Sequence, residues 1–498
     1  MPFRPAANYL AYRTELEVMD EILQHSGLDD IILDHALAER REKAENQTAF
    51  QRGLAAFIRH TRRAFRISIL RAHKGCTSVR NLEITLADSA LEQWFCFLEN
   101  FDQIKAPSKS TIDRAKKRIS PEVLDTAFAT LLQKAASTAK GYDPQIEHAI
   151  NLLGFQAPTD LTAAWYDSTC HSPNIHFPVD WVQLGDCCRT LLKAARCIRK
   201  HGIKNRMPKG GPDKLLRHLN QLNIALGNAR RRKDSKKLRK KILRKMKKFA
   251  NRIARHARVH RQLLTKHRAE KTDLSEAQAR HITERIDRML VLLPQAKQQA
   301  HERIIGERRV ATTKKIISVY EPDAKVIVRG KSGSEVEFGN QLLLGENAEG
   351  LIVHWKLCQN VRSDSKRLLE AIQSTEATTG TPLQKIVADR GFSDEKIQAQ
   401  LAQERPELSD HICPRSPTKL AEKKEDPTFM RSQTRRSQTE ARVAIITNTY
   451  QGGRSLSKGL ESQRQELRWV MLAHNLRQLS RRLIAERKAR EPAKRKAA

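Results

Sequence analysis

Apolar residues recur with helical spacing through the first ~150 residues, and the period shortens to two after about residue 314. Between these regions they form narrow seams along a basic stretch. Leu16, Met19, Ile22 and Leu23 set one helical face, and Gly27 is placed to cap its C-terminus. Leu54, Phe57 and Ile58, then Phe65, Ile69 and Leu70, extend a second pattern. A turn at 73–78 leads into a helical stretch from Val79 to Leu98. Ile112, Ala115 and Ile119 form the buried side of a further helix, with Ser110 and Asp113 as its capping pair. Lys109, Arg114, Lys116, Lys117 and Arg118 lie mainly on the other side. This helix reads either as the recognition helix of a helix-turn-helix unit or as an ordinary basic surface helix.

A short strand over Leu161–Cys170 follows and places Asp167 at its C-terminal end. His171, His176 and Asp180 come next without zinc-ligand spacing, so a tight loop is expected there. Trp181 to Lys200 reads as a helix. From Leu215 to Arg309 the pattern is helical, with seams at Leu238, Ile242, Met246, Phe249 and Ile253, then at Ile282, Ile286, Met289 and Leu293. Asp273 with Glu276 marks the start of the second helix, giving an antiparallel hairpin. Strands are expected at 325–328, 336–338, 342–344 and 351–357, and a helix over 363–375. A second apolar strand runs from Lys385 and ends in Asp389, before a helix at 393–403 and a strand at 411–413. Residues 415–436 read as a polar loop holding Glu422 and Glu425. Residues 435–445 read as a helix holding Glu440, and Trp469, Leu472, Leu476, Leu479 and Leu483 as a later helical face.

Net charge sharpens this picture. The 498 residues carry a formal charge of +36, which points to a polyanionic partner. One sign dominates the 236–248 segment so strongly that phosphate contact by Lys240, Lys241, Lys247 and Lys248 is expected there. No apolar run approaches the ~20 residues of a membrane-spanning helix, and the N-terminus lacks the apolar segment of a signal peptide. The eight cysteines are scattered, as expected of reduced thiols in a cytoplasmic protein rather than of a zinc site.

Asp167, Asp389 and Glu440 are the candidate chemistry. Without the helical insertion, the order of elements gives a mixed sheet flanked by helices, with the ends of its first and fourth strands together. Three carboxylates there are hard oxygen ligands for Mg²⁺, with Mn²⁺ as a substitute. Asp167 is placed to bridge two ions, with Asp389 and Glu440 each completing one.

Further motifs recur in order: Leu86–Ala90, Ser108–Thr111, Asp167–Thr169, Asn174–Pro178, Ser318–Ala324, Val336–Gly339, Ala388–Phe392, Glu440–Ile445 and Ala473–Leu476. Together they resemble a bacterial insertion-sequence DDE transposase of the ISNCY type. The resemblance implies an α/β RNase H-like catalytic core, of the retroviral-integrase superfamily. It implies DNA transposition: binding of terminal inverted repeats in double-stranded DNA, metal-dependent cleavage, and joining to target DNA by a chain working as a homodimer. The expected organisation is an all-α N-terminal DNA-binding domain (1–150), a core from 160–180 and 311–485, a basic helical-hairpin insertion (181–310) and a disordered basic tail (486–498). The expected location is the cytoplasm, at the bacterial nucleoid. Related transposases often carry a Tyr-x-x-Arg-x-x-x-Glu-x-x-x-x-x-x-Lys pattern. Arg436 and Glu440 fit it, with Arg436 as a phosphate donor, but Gln433 and Thr447 replace the tyrosine and lysine. The alternative readings are a non-enzymatic DNA-binding protein, from an inactive or repurposed transposase, and a metal-dependent nuclease that does not join strands.

Overall fold

The structure, a computed structural model, describes residues 6–75, 78–98, 106–137, 151–331 and 334–496. Among the described residues eight helices come first: α1 (Ala7–Ser26), α2 (Leu28–Glu42), α3 (Gln47–Gln51), α4 (Leu54–His73), α5 (Val79–Asp88), α6 (Ala90–Phe95), α7 (Lys109–Arg118) and α8 (Pro121–Ala136). Strand β1 (Ala163–His171) is followed by α9 (Asp180–Lys200), α10 (Gly211–Asn228), α11 (Ser235–Lys271) and α12 (Glu276–Ile304). Then come β2 (Lys325–Lys331), β3 (Ser334–Glu346), β4 (Ile352–Cys358), α13 (Ser365–Thr379), β5 (Lys385–Ala388), α14 (Glu395–Glu404) and β6 (Ser409–Ile412). The chain closes with α15 (Pro417–Lys424), α16 (Pro427–Ala444) and α17 (Leu460–Lys496).

Two compact units result: Met1–His171 with Gln341–Ala498, and Ser172–Asn340. In the first, the strands run in the order β4–β3–β1–β5–β6. β1, β5 and β6 are mutually parallel, and β4 is antiparallel to β3. Both faces of β1 are covered, so Ala163, Ala164, Trp165 and Tyr166 form an unbroken buried run. Tyr166 bonds to Thr375 of α13 at 2.7 Å, and the Trp165 indole donates to the Ser432 carbonyl of α16 at 3.1 Å. Successive residues of β1 thus meet different helices, which is the mixed sheet flanked by helices read from the sequence.

The N-terminal helices do not form a compact unit of their own ending at 150. α17 buries Leu467, Trp469 to Ala473, Leu476, Leu479 and Leu483. It packs on α1, α4 and α8, and also on β4, where Asn475 bonds both the N–H and the carbonyl of Ile352 at 2.8 Å. A helix apolar on so many sides joins two layers into one core.

The second unit packs α10, α11 and α12 around α9 over an apolar core of its own. The expected α11–α12 hairpin is present as half of a four-helix assembly. The unit's limits, 172 and 340, are wider than the expected 181–310, because β2 pairs with β3 as far as Gly339. The strands read at 336–338 and 342–344 are one strand, β3, which crosses that limit.

Several local readings are corrected. Ser108, not Ser110, caps α7, and a Ser275–Gln278 capping box starts α12 two residues after Asp273. The polar loop at 415–436 is instead α15 and the start of α16. Pro417 and Pro427 sit in the first helical turn behind capping Ser416 and Asp426, where a missing N–H costs nothing. The basic tail continues α17 to Lys496, since Ala, Lys, Arg and Glu are strong helix formers extending a packed stem.

Candidate active site

The β1–β5 register ends at Tyr166 opposite Ala388. The next residue on each side is an aspartate, Asp167 and Asp389. β1 itself runs on to His171, so Asp167 lies inside the strand rather than at its end; what ends there is the pairing with β5. Each carboxylate is held by a nearby backbone donor. Ser168 N–H donates to Asp167 Oδ1 at 2.7 Å, and Gly391 N–H donates to Asp389 Oδ1 at 2.8 Å. Burial pushes the Asp167 carboxyl up to about 6, and the negative charge of Asp389 adds to the rise. The Ser168 N–H and the Arg436 guanidinium pull the other way, and the charge of Glu440 raises it further.

α16 brings Arg436 and Glu440 to this point. Gln433, at the position expected for tyrosine, donates its amide to the carbonyls of Ala388 (3.3 Å) and His411 (2.6 Å), tying α16 to the ends of β5 and β6. Glu346, only 1% exposed at the end of β3, accepts from Arg435 (2.7 Å), Thr439 (2.8 Å) and Arg442 (2.9 Å). Arg435 also stacks 4.4 Å from the centroid of the Trp165 ring, two residues before Asp167. These contacts fix one face of α16. Glu440 lies on an exposed face, paired with Arg436 at 2.9 Å one turn earlier. Thr447, where a lysine was expected, lies in a π-helical turn and bonds the Val443 carbonyl at 2.9 Å.

Among the described residues, no three His, Cys, Asp or Glu side chains are gathered tightly enough to hold a metal ion as they stand. The charge pattern nevertheless fits a hard cation. Asp167 is driven toward its protonated form by burial and by the charges of two other carboxylates, which a cation would relieve. Glu422 and Glu425, the rival acids, are exposed and are not among the groups that shift Asp167. His176 bonds Asp186 at 2.8 Å and Asp180 accepts from Gln299 at 2.7 Å, so both are engaged by helices.

Sequence reading missed Asp364, which accepts from Ser168 Oγ at 2.9 Å, and the clamping role of Glu346. The signal for Glu346 was a carboxylate just past the apolar run Leu342–Leu344.

The basic residues divide by environment. Ile112, Ala115 and Ile119 are buried as expected, and Lys109 and Arg114 are exposed. Arg118 stacks 5.4 Å from the Phe57 ring centroid. The side chains of Lys116 and Lys117 lie outside the described residues. Residues 172–340 contain 42 Lys and Arg against 15 Asp and Glu, so this unit holds most of the net charge. On α11, Lys240 pairs with Glu307 at 2.7 Å and Lys247 bonds His301 at 3.0 Å. Lys241 and Lys248 instead share an exposed face with Lys237, Arg244, Arg252 and Arg255. Their spacing of three and four residues makes a stripe about 27 Å long. None of the six forms an ion pair among the described residues.

Residues 314–476 match the transposase DDE domain. The matched span holds Asp364, Asp389, Arg436 and Glu440, while Asp167 lies upstream of it, before the second unit. No curated protein and no solved structure matches the chain. No helix among the described residues is long and apolar enough to cross a membrane.

Proposed function

We propose that the chain is a DDE transposase that cleaves DNA at the terminal inverted repeats of its own insertion sequence and joins the ends to target DNA. One observation carries this reading. Asp167 and Asp389 lie beside the last paired residues of adjacent parallel strands, and Glu440 acts on the same carboxylate from α16.

Asp167, Asp389 and Glu440 would hold Mg²⁺ or Mn²⁺. The bound cations supply activation of water or a 3′-hydroxyl and stabilisation of the leaving oxygen. The chain's own residues do the rest. The Ser168 and Gly391 amides orient the two aspartates. Arg436, one turn before Glu440, exchanges its carboxylate partner for a backbone phosphate as DNA enters. The exposed stripe of α11 tracks a duplex by phosphate contact, without sequence readout. Lys109 and Arg114 are further phosphate contacts, and the helix-turn-helix reading of α7 belongs to the same proposal. The chain works as a homodimer, in a bacterial cytoplasm, on an element of the ISNCY type.

The test is strand joining with DNA carrying the inverted repeats that flank the gene, in Mg²⁺ or Mn²⁺. A joined product that needs a free 3′-hydroxyl is expected. Nicking without joining supports the nuclease reading instead. A second reading, a DNA-binding protein that has lost its chemistry, draws on Thr447 at the lysine position and on the Arg436–Glu440 pair. It predicts binding to the repeats and no cleavage in either metal.

A further inference from the structure

Asp364 precedes α13 as its N-cap residue, but its side chain makes no capping hydrogen bond to that helix. Aspartate is among the best N-caps, worth about 1 kcal/mol in that role. Here the carboxylate is turned toward Ser168 within β1 and the loop that follows β5. Oδ2 accepts from Ser168 Oγ at 2.9 Å, and Oδ1 accepts from Gln341 Nε2 at 2.5 Å. Gln341 is itself held, its carbonyl oxygen accepting from Arg367 Nε at 3.2 Å and from the Arg362 N–H at 3.3 Å.

On its other side Asp364 meets the loop that carries Asp389. A Cβ built on Gly391 would lie 2.9 Å from Asp389 Oδ1 and 3.2 Å from Asp364 Oδ2. Both carboxylates therefore close over one glycine, and a side chain there would push them apart. Ser168 and Gly391 are the residues whose amides hold Asp167 and Asp389. A single side chain thus touches both of the residues that orient the two aspartates.

We propose that Asp364 is a positioning residue: by accepting from Ser168 and packing on Gly391, it sets the spacing of Asp167 and Asp389 for a divalent cation. This rests on the cation reading of the site given above. Residues that orient metal ligands typically cost 10- to 100-fold in metal affinity or activity when removed. The role belongs to the hydrogen bonds rather than the charge. An asparagine at 364 can accept from Gln341 and donate to the Ser168 hydroxyl, so it should largely substitute.

The test is Mn²⁺ affinity of the full chain without DNA, from free Mn²⁺ measured by electron paramagnetic resonance, alongside Mn²⁺-dependent nicking. The variants are D364A, D364N and S168A, with D167N as the control for the site itself. The unaltered chain should bind Mn²⁺ and D167N should not. D364A should weaken binding by roughly 10-fold or more, S168A should weaken it in the same direction, and D364N should stay close to the unaltered chain. D364A or S168A binding like the unaltered chain overturns the proposal, as does D364N binding as weakly as D364A, which would make the residue a ligand by charge. S168A changes only one hydroxyl, so it decides the matter if D364A does not fold. A chain that binds no Mn²⁺, with D167N indistinguishable from it, removes the cation reading and this proposal with it. Loss of binding in D167N, with D364A and S168A binding like the unaltered chain, overturns the role of Asp364 and leaves the cation reading standing.

Discussion

Asp167 and Asp389 each lie one residue past the Tyr166–Ala388 pair that ends the register shared by adjacent parallel strands β1 and β5. Two carboxylates so placed, one of them raised toward neutral pH, cost the fold stability until something positive joins them.

That cost is measurable through Asp167. Its carboxyl is raised from 3.8 to about 6, so its contribution to stability is fully present below about pH 4 and lost as pH rises through 6. D167N should therefore be more stable than the unaltered chain at pH 7 without metal, by at most about 3 kcal/mol. The gap should close as pH falls toward 4. Mn²⁺ should stabilise the unaltered chain and not D167N. Denaturant melts of both at pH 4 and pH 7, with and without Mn²⁺, check this, and equal stability at pH 7 would contradict it.

Glu346 carries the opposite risk, since it is buried between two guanidinium groups. E346Q should leave Arg435 and Arg442 without their shared counter-charge and destabilise the first unit by about 3–5 kcal/mol. Nicking should fall further than DNA binding, because α16 carries Glu440 while the α11 stripe is untouched. A melt with little change would show that the two arginines find water instead.

Gln433 stands where the related pattern has a tyrosine. Q433A should remove both carbonyl contacts to β5 and β6, at a cost of about 1–3 kcal/mol. Nicking should fall at every metal concentration with duplex affinity unchanged. A Q433A chain as active as the unaltered one would make those contacts incidental.

The α11 stripe makes a prediction in salt. Replacing Lys241, Arg244 and Lys248 together by Gln should reduce the slope of log affinity against log salt by about 3 on any duplex. Replacing Lys240 and Lys247, already bonded to Glu307 and His301, should change it much less. Equal effects from the two sets would place the DNA elsewhere.

The neighbouring places of Asp167 and Asp389 were legible because each follows a short apolar run, a local signal of a strand. The helix that carries Glu440 was legible through the pattern around it. α15 was not, because Pro417 and Pro427 read as breaks when they are helix starts. Asp364 was not, because its partner Ser168 is 196 residues away and only the folded sheet joins them. The division at 150 failed for a related reason. α17 closes the core of the N-terminal helices from more than 300 residues downstream, and apolar periodicity does not say which face meets which partner.

The most direct measurement is Mn²⁺-dependent nicking of terminal-repeat DNA by the unaltered chain and by D167A, D389A and E440A, with duplex binding measured on the same preparations. A shared three-carboxylate site requires each substitution to abolish nicking while leaving binding intact. Nicking at a normal rate in any of the three variants would contradict it.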